Sequence, residues 1–355
     1  MLGAAALLLA SAAPTVYAGS NDAVYAITNS ASGNAVVAWS RAATGALAPL
    51  GTFATGGSGT GAGLGSQGAV TVDGSGRWLL AVNAGSNDVS AFAIRPDGTL
   101  SLTDRIASGG TTPISVTVHQ RVAYVLNAGG AGNISGLRLD RSGDLTAIAG
   151  STRALGSAAP QAAEVAFSPR GDQLVVTEKA TNTITSYHVD AGVAGTPQTR
   201  SSAGATPFGF DFDQRGRVIA SEAAGGAANA STVSSYRIGS TGAQVIDGPV
   251  ATTETAACWV VVTDGSRYAY AANTGSGTVS GFSIAPNGDL TLLDADGVTG
   301  TTGGAPADEA IGGQFLYVRV GGLNRVSGFR IGHDGSLAPI GSVSVPAGLV
   351  GLAAG

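Results

Sequence analysis

The feature that most constrains this chain is a unit that recurs every 44 to 54 residues. In its clearest copy, residues 268–290, an alternating apolar run ends at Asn273, a Gly/Ser turn and a second alternating run follow, and Asn287-Gly288 turns the chain again. Alternation of apolar side chains is typical of β-strands, and Asn-Gly is typical of hairpin turns. One copy cannot bury its own apolar face, so the unit predicts an array of packed hairpins.

One position, at the end of the second strand of each copy, marks the register of the repeat. It holds Asn in four copies, Glu in two and Val in the last. The seven marker residues are Asn29, Asn83, Asn127, Glu178, Glu222, Asn273 and Val320. Seven units of this length predict an all-β fold, a seven-bladed β-propeller with four strands in each blade.

The first copy lacks the innermost strand that precedes the marker strand in most others, because too few residues lie before Val24. Residues 346–353 resemble those innermost strands and follow the last outer strand. We therefore expect a C-terminal strand to complete the first blade, closing the ring and leaving no unpaired edge. Deletion of residues 346–355 is then expected to destabilise the whole fold.

Residues 1–18 have the pattern of a secretory leader, with an apolar Ala/Leu-rich segment followed by small residues before Ala18. We expect cleavage after Ala18, leaving residues 19–355 as a single propeller domain in the periplasm or outside the cell. No apolar stretch reaches the eighteen or so residues that a membrane span requires.

The composition limits the kinds of partner that the chain is expected to bind. The net charge is −5, and the 18 basic residues form no cluster, which argues against nucleic acid and anionic membrane surfaces. The single cysteine, Cys258, excludes an intramolecular disulfide and a cysteine-based metal site, and is expected to be a small buried side chain.

The blade signatures carry a family resemblance. Residues 83–92, Asn-Ala-Gly-Ser-Asn-Asp-Val-Ser-Ala-Phe, and residues 97–100, Asp-Gly-Thr-Leu, resemble the lactonase-family seven-bladed propellers. That family includes propeller-type 6-phosphogluconolactonases and fungal carboxymuconate cyclases, and the signature also resembles the YVTN surface-protein propellers. The resemblance spans residues 22–353 and implies a small lactone or carbohydrate-like ligand bound by a monomer. The family's enzymes open a central blade with a His-containing segment, whereas residues 159–164 here read Ala-Pro-Gln-Ala-Ala-Glu.

Glu178 and Glu222 are the catalytic candidates, because they replace asparagine at the marker position of adjacent blades. Opening a lactone with water requires a base to take the proton and donors to stabilise the oxyanion, and a desolvated carboxylate suits the first role. The alternative is that each Glu accepts backbone N–H bonds in a turn, as the asparagines are expected to do.

Ligands of propellers bind in or above the central channel, so substrate-binding candidates come from the starts of innermost strands and from the ends of marker strands. These candidates are Gln67, Gln161, Glu164, Trp259, Asp308 and Arg319. Trp259 is expected to floor a pocket for a ring, or else to pack between blades. Arg319 is expected to bind a substrate carboxylate, or else to face outward to solvent.

The sequence predicts no cofactor. Glu164, Asp308 and Glu309, with Glu178 and Glu222, form the alternative of an oxygen-ligand site for a divalent cation such as calcium. Without a cation, the three residues of the innermost strands are expected to be partly solvated channel carboxylates.

The three histidines, His119, His188 and His333, lie in turns or outer strands, so a Ser-His-Asp arrangement is not expected. Three functions remain open. The first is an exported lactonase that hydrolyses a sugar or aliphatic lactone, for which a phosphorylated lactone fits poorly. The others are a non-catalytic binding or scaffold propeller and a lactone-forming cyclase or isomerase.

Overall fold

The computed structural model describes residues 22–355. The predicted leader, residues 1–18, lies outside the described residues. Seven antiparallel sheets follow one another along the chain, each running from an innermost to an outermost strand. The seven-bladed propeller predicted from the repeat is confirmed. In the described part of the chain, no helix is long and apolar enough to cross a membrane.

The strands group into blades in chain order. Blade 1 holds β1 (Ala23–Ile27), β2 (Ala35–Arg41) and β3 (Leu47–Ala54); blade 2 holds β4 (Val70–Val72), β5 (Trp78–Asn83), β6 (Asp88–Ile94) and β7 (Leu100–Ala107); blade 3 holds β8 (Pro113–His119), β9 (Val122–Asn127), β10 (Asn133–Leu139), β11 (Leu145–Ala147) and β12 (Arg153–Ala154); blade 4 holds β13 (Ala162–Phe167), β14 (Gln173–Glu178), β15 (Thr183–Asp190), β16 (Val193–Ala194) and β17 (Gln198–Ser201); blade 5 holds β18 (Pro207–Phe212), β19 (Arg217–Glu222), β20 (Thr232–Gly239) and β21 (Gly242–Ala251); blade 6 holds β22 (Ala257–Val262), β23 (Tyr268–Asn273), β24 (Thr278–Ile284), β25 (Leu290–Leu292) and β26 (Gly300–Thr301); blade 7 holds β27 (Pro306–Gly312), β28 (Phe315–Val320), β29 (Arg325–Ile331) and β30 (Leu337–Ser344); and β31 (Val350–Ala354) returns to blade 1. Two short 3₁₀ segments, Ala224–Gly226 and Gly321–Leu323, follow the marker strands of blades 5 and 7.

The C-terminal strand closes the ring as predicted. Strand β31 pairs antiparallel with β1, with Val24 opposite Ala354 and Ile27 opposite Val350. Its apolar residues are buried against blades 1, 2 and 7, with Val350 beside Ala69 and Leu352 beside Val24. The first blade thus takes its innermost strand from the far end of the described chain.

A tyrosine on the marker strand explains why the repeat needs a glycine in its hairpin turn. In blade 6, the Tyr270 hydroxyl donates to the carbonyl of Gly335 in the turn of blade 7, at 2.8 Å. Gly335 has φ +87°, and a Cβ there would lie 2.7 Å from the Tyr268 ring. Three further blade junctions repeat the bond from tyrosine to glycine carbonyl: Tyr25 to Gly98, Tyr124 to Gly192 and Tyr317 to Gly45. At each of these junctions, the tyrosine of one blade and the turn glycine of the next together form the contact between the blades, which we call the seam.

Candidate functional site

The marker residues lie in the seams between blades. The side-chain oxygen of Asn83 accepts hydrogen bonds from Asn34 of the preceding blade at 2.9 Å and from Thr55, directly after that blade, at 2.7 Å. Its side-chain amide donates to Asp88 and Ser90 in its own blade. The asparagine thereby ties one blade to the connection that leads into it. The bond to the serine of the next strand recurs at Asn127 and Asn273, which donate to Ser135 and Ser280.

Glu178 and Glu222 occupy the marker position in blades 4 and 5, and both are completely buried. Glu178 accepts the backbone N–H of Gly156 and the Thr185 hydroxyl, both at 2.7 Å. Glu222 accepts from four hydroxyls, those of Ser202, Thr232, Ser234 and Tyr236. These contacts are the ones expected of a structural acceptor, and the catalytic role of both residues stays a prediction.

Side chains of innermost strands cover the inner edge of the next blade. Glu164 of β13 accepts the backbone N–H of Phe210 in β18 at 2.7 Å, and Asp211 of β18 accepts that of Val262 in β22 at 2.8 Å. Burial raises the pKa of Asp211 to about 6 and that of Glu164 well above its usual range. Both acids therefore hold neighbouring blades together around the channel, and the repeat did not reveal Asp211 as a candidate.

Asp308 and Glu309 of β27 differ from these two acids in lacking partners. Both are at most 2 % exposed, and neither oxygen of the Glu309 carboxyl has a hydrogen-bond partner among the described residues. Asp308 accepts only the backbone N–H of Glu309, which leaves its Oδ2 unpaired. Burial raises the pKa of Asp308 to about 8, and burial together with Asp308 raises that of Glu309 well above its usual range. Asp308 is thus mostly protonated near neutral pH, and because both acids are buried, neither is the partly solvated carboxylate that the sequence suggested.

Gln67 crosses the channel. Its side-chain amide, which enters from the connection between blades 1 and 2, donates to the Val260 carbonyl at 2.8 Å and accepts the Val260 N–H at 3.1 Å in blade 6. Gly209 makes the crossing possible, because a Cβ on Gly209 would overlap the Gln67 amide oxygen. Beside it, the Trp259 indole N–H donates to the Ser66 carbonyl at 3.0 Å. Residues 66–67 therefore bridge one end of the channel.

An aromatic floor lies at that end of the channel, which we call the mouth. The rings of Phe208 and Trp259 are 5.1 Å apart between centroids, and both pack with Ala163, Cys258 and Ala272 in one apolar cluster. The exposed residue Gln161 stands at the rim, where its carbonyl accepts the backbone N–H of Lys179. Trp259 thus packs between blades and also forms part of the floor.

Lys179 is the residue at the mouth that sequence reasoning missed. Its Nζ lies 4.4 Å from the centroid of the Phe208 ring and donates to the Gly65 carbonyl at 2.6 Å. Burial lowers the pKa of its amine to about 8, against an opposing effect of Cys258. Lys179 is the only lysine of the chain and directly follows the marker Glu178. That uniqueness beside a departure from the repeat is the signal that points to it.

Arg319 borders the same apolar cluster from blade 7. Its Nε and one terminal nitrogen donate to the carbonyl of Ala307, at 3.3 and 3.0 Å, and Ala307 packs against the cluster. The other terminal nitrogen lies 3.1 Å from the position that a Cβ on Gly321 would occupy, a close approach. That nitrogen has no hydrogen bond among the described residues. Burial lowers the pKa of Arg319 and Asp308 raises it.

The cysteine and the histidines take other places. Cys258 is buried as expected, and burial raises the pKa of its thiol to about 11. His188 and His333 are exposed, and His119 is half-buried at the end of β8, where it lines a cavity of about 580 Å³ with Arg77 and Trp78. Within residues 22–355, no group of three or more His, Cys, Asp and Glu side chains is arranged to hold a metal ion.

Comparison with known proteins agrees with this architecture. The sequence profile described as "Lactonase, 7-bladed beta-propeller" matches residues 15–156 and 119–226, which together exceed half of the chain. The chain belongs to this lactonase family. No curated protein sequence matches it significantly.

Solved structures related to this lactonase-family propeller share its fold. A candidate 6-phosphogluconolactonase from Bacteroides fragilis is 21% identical with a TM-score of 0.70, covering 93% of this chain and 96% of its own. The periplasmic gluconolactonase of Pseudomonas aeruginosa is 16% identical with a TM-score of 0.70, covering 93% and 98%. A protein from Lactobacillus plantarum is 16% identical with a TM-score of 0.74, covering 93% and 98%. At these identities the likeness shows the fold.

Proposed function

We propose that this lactonase-family propeller hydrolyses a small neutral lactone at the mouth of its channel, with Lys179 as the general base. The observation that carries the proposal is the half-buried amine of Lys179, which lies over the Phe208 ring with a pKa lowered to about 8. An amine of ordinary pKa is protonated near neutral pH and accepts no proton, whereas this amine is neutral in a substantial fraction of molecules at pH 8. A general base works best when its pKa lies near the working pH.

The chemistry requires three groups, and the mouth offers each of them. Phe208 and Trp259, which are 9% and 7% exposed, would contact the apolar face of a lactone ring through the small surface that they leave open. The neutral Lys179 amine takes a proton from a water molecule as that water attacks the carbonyl carbon. The free terminal nitrogen of Arg319 is a donor for the oxyanion or for the carboxylate that forms.

Two neighbouring side chains, Cys258 and Glu178, bear on how activity through Lys179 depends on pH. The Cys258 thiol, with its pKa near 11, is neutral in the working range. The Glu178 carboxylate, one residue away in sequence, is occupied by Gly156 and Thr185 in the seam. Activity is therefore expected to rise with pH through about 8 as the amine loses its proton.

A neutral lactone suits this mouth better than a phosphorylated one. The chain carries 18 basic residues against 23 acidic ones, a balance that disfavours a phosphate group. The likeness to a periplasmic gluconolactonase supports a sugar lactone as the first substrate to test. We also propose export, on the leader pattern of residues 1–18.

The test measures hydrolysis of glucono-δ-lactone, galactono-γ-lactone and δ-valerolactone by the acid that is released. Lys179→Arg keeps a cation over Phe208 but has no accessible neutral form, so kcat/KM is expected to fall about 100-fold or more. In the wild type the pH profile of kcat/KM should rise with an apparent pKa near 8, and in Lys179→Arg this limb should disappear. The control, Arg200→Lys, changes an exposed residue outside the mouth and should leave both readouts unchanged.

Two results would contradict the proposal. Turnover in Lys179→Arg equal to that of the wild type removes Lys179 from the reaction. No turnover of any lactone, combined with saturable binding of the same compounds, favours a binding propeller. A third result, in which a carboxyl group of an unsaturated diacid adds across its double bond to form a lactone while none of the test lactones is hydrolysed, favours the cyclase.

A further inference from the structure

We propose that Lys179 is itself a modification site, acylated by lactones that bind at the mouth. This inference rests on lactone binding there, which is part of the proposed function, but does not require turnover. It concerns a second fate of the lactone, in which the amine attacks the carbonyl carbon directly and no water intervenes.

The position of the amine supports direct attack. Nζ lies over the Phe208 ring, 4.4 Å from its centroid, and donates to the Gly65 carbonyl at 2.6 Å, so a lactone bound at the mouth would lie against the amine itself. Lys179 is partly exposed, and so is the Gly65 backbone to which it donates, so a small molecule can approach from solvent. Holding a nucleophile next to a bound electrophile raises the effective concentration of the reacting groups.

The step balances without another reactant. The lone pair of Nζ forms a bond to the acyl carbon, and the bond between this carbon and the ring oxygen breaks. The ring oxygen leaves as an alkoxide and takes up the proton released by the nitrogen. The product is a hydroxyacyl amide on Lys179, which has no basic amine and fills the floor with its own chain.

Acylation has a functional consequence for a base at this position. An amide nitrogen accepts no proton near neutral pH, so each acylated molecule loses the general base. The protein would then be inactivated gradually by the compounds that it hydrolyses, and more rapidly at high lactone concentration. The fraction of active protein therefore falls as exposure to the lactone increases.

The chain makes the experiment unusually clean, because Lys179 is its only lysine. Trypsin cleaves after Arg170, Lys179 and Arg200, and an acylated Lys179 resists cleavage, so modification joins residues 171–200 into one peptide. The protein is incubated with δ-valerolactone at pH 8, and this peptide is measured by mass spectrometry. Its mass should exceed that of the unmodified sequence by one lactone.

The variant Arg200→Lys supplies an internal reference, since it places an exposed amine elsewhere in the same molecule. At pH 8 Lys179 should be acylated about tenfold or more faster than the lysine at position 200, because its amine is more often neutral and lies at the binding floor. The peptide from Lys179→Arg should carry no adduct.

Acylation of Lys179 that is no faster than that of the exposed reference, or absent, overturns the inference. Lactone hydrolysis is recorded in the same samples, so the two proposals fail separately. Turnover without an adduct supports lactone hydrolysis and contradicts acylation of Lys179. An adduct without turnover supports acylation and contradicts hydrolysis.

Discussion

Glu178 and Lys179 are neighbours in sequence and face opposite environments. The Glu178 carboxylate is completely buried in the seam between blades 3 and 4, where backbone and hydroxyl donors surround it. The Lys179 amine is half-buried at the mouth, with one carbonyl and the face of one ring as its contacts. A polar group whose partners are all supplied by the fold stabilises the fold. A group with few partners is the one left to act on a ligand.

The seams should be the more sensitive to mutation, and their largest test is removal of β31. Deleting residues 346–355 exposes both the inner edge of blade 1 and the apolar surfaces that Val350 and Leu352 bury, each worth about 1.5–3 kcal/mol. That loss is comparable with the 5–15 kcal/mol net stability typical of a domain, so we expect no cooperative thermal transition. Circular dichroism melting is the measurement. A truncated chain that melts like the full one would refute the closure.

The next test separates a seam carboxylate from a catalytic one. Glu222→Leu leaves four hydroxyls without their acceptor, and we expect it to lower the free energy of unfolding by about 3 kcal/mol. Glu222→Gln keeps one acceptor oxygen and should cost about 1 kcal/mol. Urea denaturation measures both.

The same Glu222→Gln protein, assayed for lactone hydrolysis, decides whether the glutamate also acts as a base. If the carboxylate only supports the seam, kcat/KM of the folded variant stays within about twofold of wild type. A loss of about 100-fold, the size expected for a general base, would restore the catalytic prediction for Glu222. Glu178→Gln provides the parallel measurement in the adjacent seam.

The last test concerns a buried acid with one unpaired oxygen, Asp308. The folded-state pKa of Asp308, about 8, exceeds the value of an unfolded aspartate, so the unfolded chain releases this proton first as pH rises. Stability is therefore lost between about pH 4 and 8, the reverse of the behaviour of a salt-bridged aspartate.

Asp308→Asn removes this ionisation and should raise the free energy of unfolding at pH 9 by about 1–2 kcal/mol, with little change at pH 5. Urea midpoints at the two pH values measure the effect. The exposed Asp97, whose carboxyl is hydrogen-bonded to Thr99 with a lowered pKa, provides the control Asp97→Asn. A destabilised Asp308→Asn at pH 9 would mean that the carboxylate is needed in its charged form.

The fold was predictable because the repeat is local and redundant. Period-two alternation, turn glycines and the marker residue each identify a blade within some fifty residues, and seven copies corroborate one another. The missing strand of the first copy even indicated where β31 pairs. Glu178 and Glu222 were found in the same way, as departures from a repeat.

The mouth was less accessible to sequence reasoning because its contacts join distant segments. Lys179 meets Gly65, 114 positions earlier in the chain, and Gln67 meets Val260, 193 positions later. No local pattern indicates which connection crosses the channel or which ring lies below an amine. The strand starts directed attention to Trp259 and Glu164, but the burial and hydrogen bonding of Glu164 depend on contacts with another blade.

Ring closure also orders events in time. Among the described strands β31 is synthesised last, so the sheet that contains β1 stays one strand short until β31 has left the ribosome. Its pairing joins Val24 to Ala354, a separation close to the whole chain length, and contacts of such long range slow folding. During that interval the inner edge of blade 1 is open to pairing with other chains, which makes the first blade synthesised the last to become safe from aggregation.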